Sequence, residues 1–454
     1  MGAYPLRRLD GGSYFLILAL TFFALLAAFG GASRADELQQ AVVRFAAIAV
    51  LIAALWPLNL DAFRDARGPL IGAMLIYLLL LAQLIPLPAH LWGRMPGHDI
   101  YTPIAQATGS AGSRPWTLSP DLTLNALGAL LPATVMGLLT LALDFRGRLL
   151  LAQWVIGMAS VSALLGLLQL AGGSTFLHLF RTSSENSAVG LFANRNHQAG
   201  LMACALPILA AVTSIRMRES GRTARAHGIA AGIATLLLMG LAATGSRMGL
   251  LLGLVSLTAG AMILAVTTQP RFSRKWFSAF AVAFIAAIPV AVLVTRSGSI
   301  VRLASEPVDR SRMAAIPPML EAARAYMPFG AGFGTFDPVY RHFEPDSTLS
   351  TIYLNQAHNE PVQLAIEGGI PALLLLLLFL GWWTRAAIRT TRRRESVSRR
   401  ALGMAMVATA LILMLSSLVD YPLRTPLLSG LFAIACVELV RSKRRSVTEA
   451  AKPS

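Results

Sequence analysis

The chain has 454 residues, 55% of them hydrophobic and 13% charged, with a mean hydropathy of +0.62. That balance excludes a soluble globular domain and points to a polytopic membrane protein. A formal net charge of +17 would imply nucleic acid in a soluble chain, but here the basic residues sort by loop, so topology explains the charge and no nucleic-acid partner is expected.

Arg7 and Arg8 precede an apolar run over residues 14–32. Secretory signals share that pattern, but the run is long enough to span a bilayer and reads as a retained first helix. A span needs about 20 apolar residues. Runs of that kind fall at 14–32, 40–57, 68–86, 123–143, 148–171, 197–215, 227–245, 247–267, 277–295, 361–383, 401–419 and 424–440. The expected fold is therefore an all-α polytopic membrane protein with about twelve transmembrane helices and a large, partly helical periplasmic loop. Residues 1–295 hold helices one to nine, with a periplasmic loop near 87–122. Residues 296–360 form the large periplasmic loop, 361–441 hold the last three helices, and 442–454 are a cytoplasmic tail. The turn Thr244-Gly245-Ser246-Arg247 separates the seventh and eighth runs; were they one bent helix, the topology would invert beyond it.

Alternate loops collect the positive charge. Arg7/Arg8, Arg64/Arg67, Arg146/Arg148, the four arginines of 216–225, Arg271/Arg274/Lys275, the seven of 385–400 and the five basic residues of 441–452 hold 25 of the 39 Lys and Arg. By the positive-inside rule these loops and both termini are cytoplasmic, which puts the 87–122 and 296–360 segments outside. The first is rich in Pro, Gly and Trp, as an interfacial loop with aromatic anchors would be. In the second, 312–326 has helical spacing, and the stretch Gly330-Ala331-Gly332-Phe333-Gly334 is a glycine-rich turn with no strand before it. It reads as close backbone packing, with a phosphate cradle as the alternative. Cys204 and Cys436 both lie in apolar runs, so no disulfide framework or thiolate metal site is indicated.

Polar clusters mark four outward span ends. Asn194-Arg195-Asn196-His197 opens the sixth span, Ser246-Arg247 lies between the seventh and eighth, and Arg310, Arg312 and Arg341 share the long loop with His358-Asn359. Asp420-Tyr421-Pro422-Leu423-Arg424 turns between the last two spans. A single arginine at a span end is ordinarily an interfacial anchor, and a lone histidine there is often a cap. Several arginines on one side with a histidine make a site for a diphosphate.

These motifs, with Pro86-Leu87-Pro88, Trp92 and Pro328-Phe329 before the glycines, resemble the O-antigen ligase and polymerase superfamily over residues 80–435. The most specific element is the ligase histidine motif, which His358, Asn359 and Gly369 fit in spacing; Ala372 stands where Gly, Thr or Tyr is usual. The resemblance implies a glycosyltransferase, active on the periplasmic face of a bacterial inner membrane. It would move a glycan from undecaprenyl diphosphate to the lipid A-core oligosaccharide in lipopolysaccharide biosynthesis, with no metal or other cofactor; membrane lipids are the remaining partner.

In that reading His358 is the general base for the acceptor hydroxyl. Arg247 and Arg312 match the family's arginines and bind the diphosphate, with Arg195, Arg341 and Arg424 as secondary candidates. Asn196, Asn359 and Asp420 orient these groups. The absence of an obvious paired-carboxylate nucleophile implies inversion at the anomeric carbon. The rivals are an O-antigen polymerase or a protein O-oligosaccharyltransferase, which share the donor; the length and the short tail after Arg445 favour the ligase. A lipid-linked glycan flippase is a further rival, and it predicts ionisable groups in mid-span, whereas nearly all here lie at ends or in loops.

Overall fold

The computed structural model describes residues 11–34, 37–56, 63–64, 66–109, 112–173, 176–182, 187–220, 223–267, 310–349, 354–392 and 396–441. Nearly all of the regular structure is helical: α1 (Gly11–Phe29), α2 (Leu38–Leu55), α3 (Arg67–Gln83), α4 (Pro120–Ala129), α5 (Leu131–Ala142), α6 (Phe145–Gly172) and α7 (Arg195–Ser220), then α8 (Thr223–Ala243), α9 (Arg247–Thr267), α10 (Arg310–Tyr326), α11 (Phe336–Phe343), α12 (Glu360–Arg392), α13 (Val397–Ser416) and α14 (Pro426–Arg441). A two-residue ribbon, β1 (Pro86–Leu87) against β2 (Arg114–Pro115), is antiparallel.

The protein is an all-α polytopic membrane protein. Among the described residues nine helical segments, counting α4 and α5 as one, are long and apolar enough to cross a membrane, and α3 and the apolar part of α14 are shorter. Eleven of the runs expected from the sequence coincide with these helices; the run at 277–295 lies outside the described residues. The seventh and eighth runs are separate helices, because Gly245 turns the chain at φ 60°, where an L side chain would be strained. The fourth run breaks at Leu130, just before Pro132, whose ring has no N–H for a continuous helix. α12 continues to Arg392 rather than stopping near 383, since Ala386 and Ala387 favour helix after the apolar run has ended.

The core forms around α7, which α6, α8, α9 and α13 surround. Its middle, residues 199–212, is apolar on every side, and Ala199, Met202, Ala203, Ala205, Ile208 and Ala211 are all buried, as expected of a helix segment without a polar face. Small residues set the spacing. A Cβ on Gly249 would lie 2.6 Å from Ala199 Cβ, and one on Gly240 would lie 2.8 Å from Ala163 Cβ. Such close approach is the main source of helix association in lipid. Outer helices expose Ile48, Ile52, Ile71, Leu78, Leu374 and Leu377, surfaces suited to acyl chains.

Helix ends sort into two sets. At one end Arg148 Nε meets Glu438 Oε2 at 2.6 Å, Arg218 donates to Thr267 O, and Arg400 donates to Thr391 O. At the other, Ala193 N donates to Gly31 O, Leu427 N to Gly30 O, and Glu360 N to Ser417 O. The described parts of the arginine-rich short loops join helices at the first end. The described parts of the longer connections lie at the second.

There α10 and α11 form a cap with its own apolar core, including Met319, Ala322, Tyr326, Phe336, Tyr340 and Ile366. The glycine-rich turn fastens this cap to the helices. Gly332 has φ 112°, and a Cβ on it would fall 1.9 Å from Thr117 Oγ1. Four of the turn's N–H groups are already engaged: Gly330 with Tyr326 O, Ala331 with Ile366 O, Gly332 with Glu367 O, and Phe333 with Gln83 Oε1 at 2.8 Å. With those donors used inside the protein, close packing describes the turn better than a phosphate cradle. It holds backbone against backbone.

Candidate active site

Three helix starts meet at the capped end, each closed by a side chain that the chain itself supplies. Asn194 Oδ1 accepts from Asn196 N at 2.8 Å at the start of α7. Ser246 Oγ accepts from Gly249 N at 2.9 Å at the start of α9. Asn359 Oδ1 accepts from Val362 N at 3.0 Å at the start of α12. Asn and Ser are favoured at these positions because a short polar side chain satisfies an amide that the helix leaves open. The caps are also tied to one another, since Ser246 Oγ donates to Asn196 Oδ1 at 2.8 Å.

Asp420, in the turn after α13, is their common centre. Its Oδ2 accepts from Asn196 Nδ2 at 2.6 Å and from Asn194 Nδ2 at 3.3 Å. Its Oδ1 accepts from Tyr421 N at 2.9 Å and faces His358 Nδ1 at 3.4 Å and His197 Nε2 at 3.6 Å. Burial pushes this carboxyl upward, but hydrogen bonding from His197 and His358, and their charge whenever they are protonated, outweigh it and hold Asp420 well below the usual carboxylate range. Its surroundings therefore favour the carboxylate form. The Tyr421 ring stands against both histidines, at 4.8 Å from His358 and 5.2 Å from His197.

His358 is held in an unusual backbone conformation, φ 50°. A non-glycine residue there costs roughly 1–3 kcal/mol and persists only where its surroundings fix it. They do so on both sides: Ala357 N donates to Gln363 Oε1 at 2.9 Å, and Asn359 Nδ2 donates to Leu418 O at 3.0 Å. The side chain is 12% exposed, whereas that of Asp420 is 1%. With Nδ1 turned toward a carboxylate, the neutral imidazole carries its proton there and leaves Nε2 as an acceptor, an assignment that follows from the geometry. Such a group can take a proton from a hydroxyl.

A second polar cluster lies along α12. Glu367 is fully buried; its Oε1 accepts from Gln363 Nε2 at 2.9 Å and its Oε2 from Arg424 Nη2 at 3.4 Å. Arg424 also grips Glu360 through two contacts of 2.9 and 3.1 Å. Burial alone would lower the Arg424 guanidinium, but the charges of Glu360 and Glu367 raise it above its ordinary value. Two residues beyond Glu367, Gly369 breaks the helix at φ 58°, and a Cβ there would fall 2.2 Å from Pro328 O. The glycine of the histidine motif is thus required by packing. Ala372, where the motif departs, is buried, and its Cβ lies 2.5 Å from where a Cβ on Gly368 would stand, so only a small residue fits at 368.

The structure brings His358, Asn196, Asn359 and Asp420 to one place. Arg195 is partly buried at the first residue of α7, beside Asn196, and Arg247 is exposed at the first residue of α9, beside Ser246. Arg312 lies in the first turn of α10, its side chain outside what is described. Arg341 is exposed on α11 and paired with Asp337 at 2.7 Å, and Arg424 is paired as above; both are committed to carboxylates of their own chain. The reading of the sequence named His197 in the cluster that opens the sixth run but gave it no role, and it overlooked Glu367. The signal for Glu367 was present: a carboxylate inside an apolar run is costly unless paired. Among the described residues no group of three His, Cys, Asp or Glu is arranged to hold a metal ion.

Residues 232–377 match the family described as O-antigen ligase. That interval runs from α8 through α12 and includes Ser246, the glycine-rich turn, His358 and Gly369. No curated protein matches the chain.

Proposed function

Because residues 232–377 match the family described as O-antigen ligase, we propose that the chain is an O-antigen ligase of a bacterial inner membrane. It transfers a glycan from undecaprenyl diphosphate to the lipid A-core oligosaccharide. The chain crosses the membrane twelve times, by the eleven apolar segments described and by residues 277–295, and the His358 end faces the periplasm. In support, the arginine-rich short loops gather at the opposite end, as the positive-inside rule requires of a cytoplasmic face.

In the reaction, His358 Nε2 takes the proton of the acceptor hydroxyl as its oxygen attacks the anomeric carbon. The bond from that carbon to the diphosphate breaks, and its electron pair leaves on undecaprenyl diphosphate, so the anomeric configuration inverts. Asp420 holds the imidazole in the required tautomer and offsets its charge once protonated, as a carboxylate does in other histidine-based sites. Asn196 fixes Asp420, and Asn359 fixes the segment that carries His358. Arg247 and Arg312 clamp the diphosphate, helped by Arg195 and by the positive ends of α7 and α9. Arg341 and Arg424 are left out of this role, since carboxylates already engage both.

The observation that carries this reading is the 3.4 Å approach of His358 Nδ1 to Asp420 Oδ1 from a strained residue at the start of the helix bearing the family's histidine motif. The test is genetic and chemical. A deletion strain should make lipid A-core without attached O-antigen while polymerised chains accumulate on undecaprenyl diphosphate. Single unpolymerised repeats on the carrier would instead indicate a polymerase and overturn the acceptor assignment.

A further inference from the structure

We infer that His197 is a positioning residue for His358: a neutral Nε2–H directed at Asp420 Oδ1 limits how tightly that carboxylate holds the proton His358 takes up. The inference rests on the assignment of His358 as base in the proposed transfer.

Both imidazoles face the same carboxylate oxygen, His358 at 3.4 Å and His197 at 3.6 Å, while the other oxygen is occupied by Asn194 and Asn196. His197 is buried, with a side-chain exposure of 1%. Its ring meets the edges of Phe192 and Tyr421 at 6.2 and 5.2 Å. Nε2 has only Asp420 Oδ1 before it, at 3.6 Å and so just beyond hydrogen-bond distance, and Nδ1 is buried with no polar partner at all. That last fact decides its charge. A protonated His197 would bury an unpaired N–H donor on a cation, among the more costly arrangements a protein interior can contain. The neutral ring, with its single proton on Nε2, leaves only a bare lone pair at Nδ1 and directs the proton to Asp420. Distances of this length are ordinary before substrate binds and shorten in the reacting complex.

The consequence falls on His358. When it gains the hydroxyl proton, Asp420 stabilises the resulting cation, and each other donor on Oδ1 weakens that hold. With His197 in place the proton is accepted and then released; without it the carboxylate keeps the proton and the base stays blocked to higher pH. The charged groups nearest this pair are Arg195 on α7, Arg247 on α9, Glu360 and Glu367 on α12 and Arg424 in the turn. Arg424 is paired with both glutamates, and guanidinium and carboxylate groups as a class lie far from the neutral range in which histidine changes charge, so a pH response there reports histidine.

The experiment uses the full chain in lipid nanodiscs and diethyl pyrocarbonate, which acylates neutral imidazole. The modification rate of the His358 peptide is followed by mass spectrometry over about pH 5 to 8, where histidine changes charge. The chains compared are wild type, His197→Leu and His197→Gln. His197→Leu should move the midpoint to higher pH, so that at pH 6 His358 is modified on the order of five- to tenfold more slowly, as loss of a hydrogen bond to a charged group implies. His197→Gln restores an N–H and should follow wild type. The acid limb of glycan transfer should move in the same way. A Leu profile that superimposes on wild type, or a Gln profile displaced as far as Leu, overturns the inference. If His197→Leu is not monodisperse, His197→Met carries the same test. Should the modification profile move while even wild type transfers no glycan, the proposed function fails and the role of His197 stands.

Discussion

Two buried carboxylates sit at the same end of this membrane protein, and their surroundings differ in kind. Glu367 is enclosed by groups that keep their protons: Arg424, Gln363 and the Phe336 amide. Asp420 is enclosed by two asparagines and a backbone amide, but also by two imidazoles, side chains able to take up and give back a proton. The first arrangement is a closed brace that joins α12 to the final turn. The second leaves one partner, His358, partly open to the outside. Burial of an acid therefore does not by itself mark a reactive site; what marks it is a partner whose charge can change and a path by which substrate can reach it.

Breaking this contrast should have its largest effect at His358. The variant His358→Ala should lose roughly 100- to 10,000-fold in transfer rate, the range for a missing general base, with unchanged melting temperature and membrane insertion. Next come the arginines. Arg247→Lys and Arg312→Lys keep the charge but lose the planar fork, and transfer should fall about ten- to a hundredfold, the cost of a charge-assisted contact. Arg341→Lys, on an exposed pair with Asp337, and Arg389→Lys in the last turn of α12 should be silent in the same assay. If all four variants transfer like wild type, the arginines serve as interfacial anchors only.

Smaller effects sharpen the two carboxylates. Glu367→Ala should destabilise the protein by about 2–3 kcal/mol, below the full range for a broken buried pair because Arg424 is partly exposed; thermal unfolding in detergent reads this directly. For Asp420 the expected result is no change. Its carboxyl is held below its ordinary value, so its contribution to stability is complete above the unfolded value of about 4 and is lost only as pH falls through the lower folded value. Melting temperature should thus show no transition from this group between about pH 5 and 8, and an acid limb of activity in that window belongs to histidine. Reporters fused after Gly109 and Asp346 should read periplasmic, and after Arg222 and Arg394 cytoplasmic.

Much of the fold was legible because a bilayer demands long apolar runs, and those runs stand out in this chain. The helix break at Leu130 was not, since Pro132 interrupts backbone bonding without interrupting hydropathy. At the site, His358, Asn196, Asn359 and Asp420 were visible as polar residues at span ends, and the end they share follows from parity of crossing. Their mutual distances were not visible, because Asn196 and Asp420 are more than two hundred residues apart in sequence. His197 was hidden for a related reason: a histidine opening an apolar helix looks like an interfacial cap until the carboxylate facing it is located. The glycine-rich turn shows the opposite case. Its composition was compatible with an anion cradle, and only the partners of its amides identify it as a packing device.

The contrast between the two carboxylates is tested most directly by measuring the glycan-transfer rate per folded molecule, alongside thermal unfolding, for Asp420→Asn and Glu367→Gln. The account predicts that Asp420→Asn transfers at least about tenfold more slowly, since the imidazole loses its orienting anion, while its melting temperature stays near wild type. Glu367→Gln should melt earlier and transfer normally once corrected for the folded fraction. The reverse pattern, with Asp420→Asn merely unstable and Glu367→Gln folded but inactive, would contradict it and move the chemistry to the Arg424 cluster.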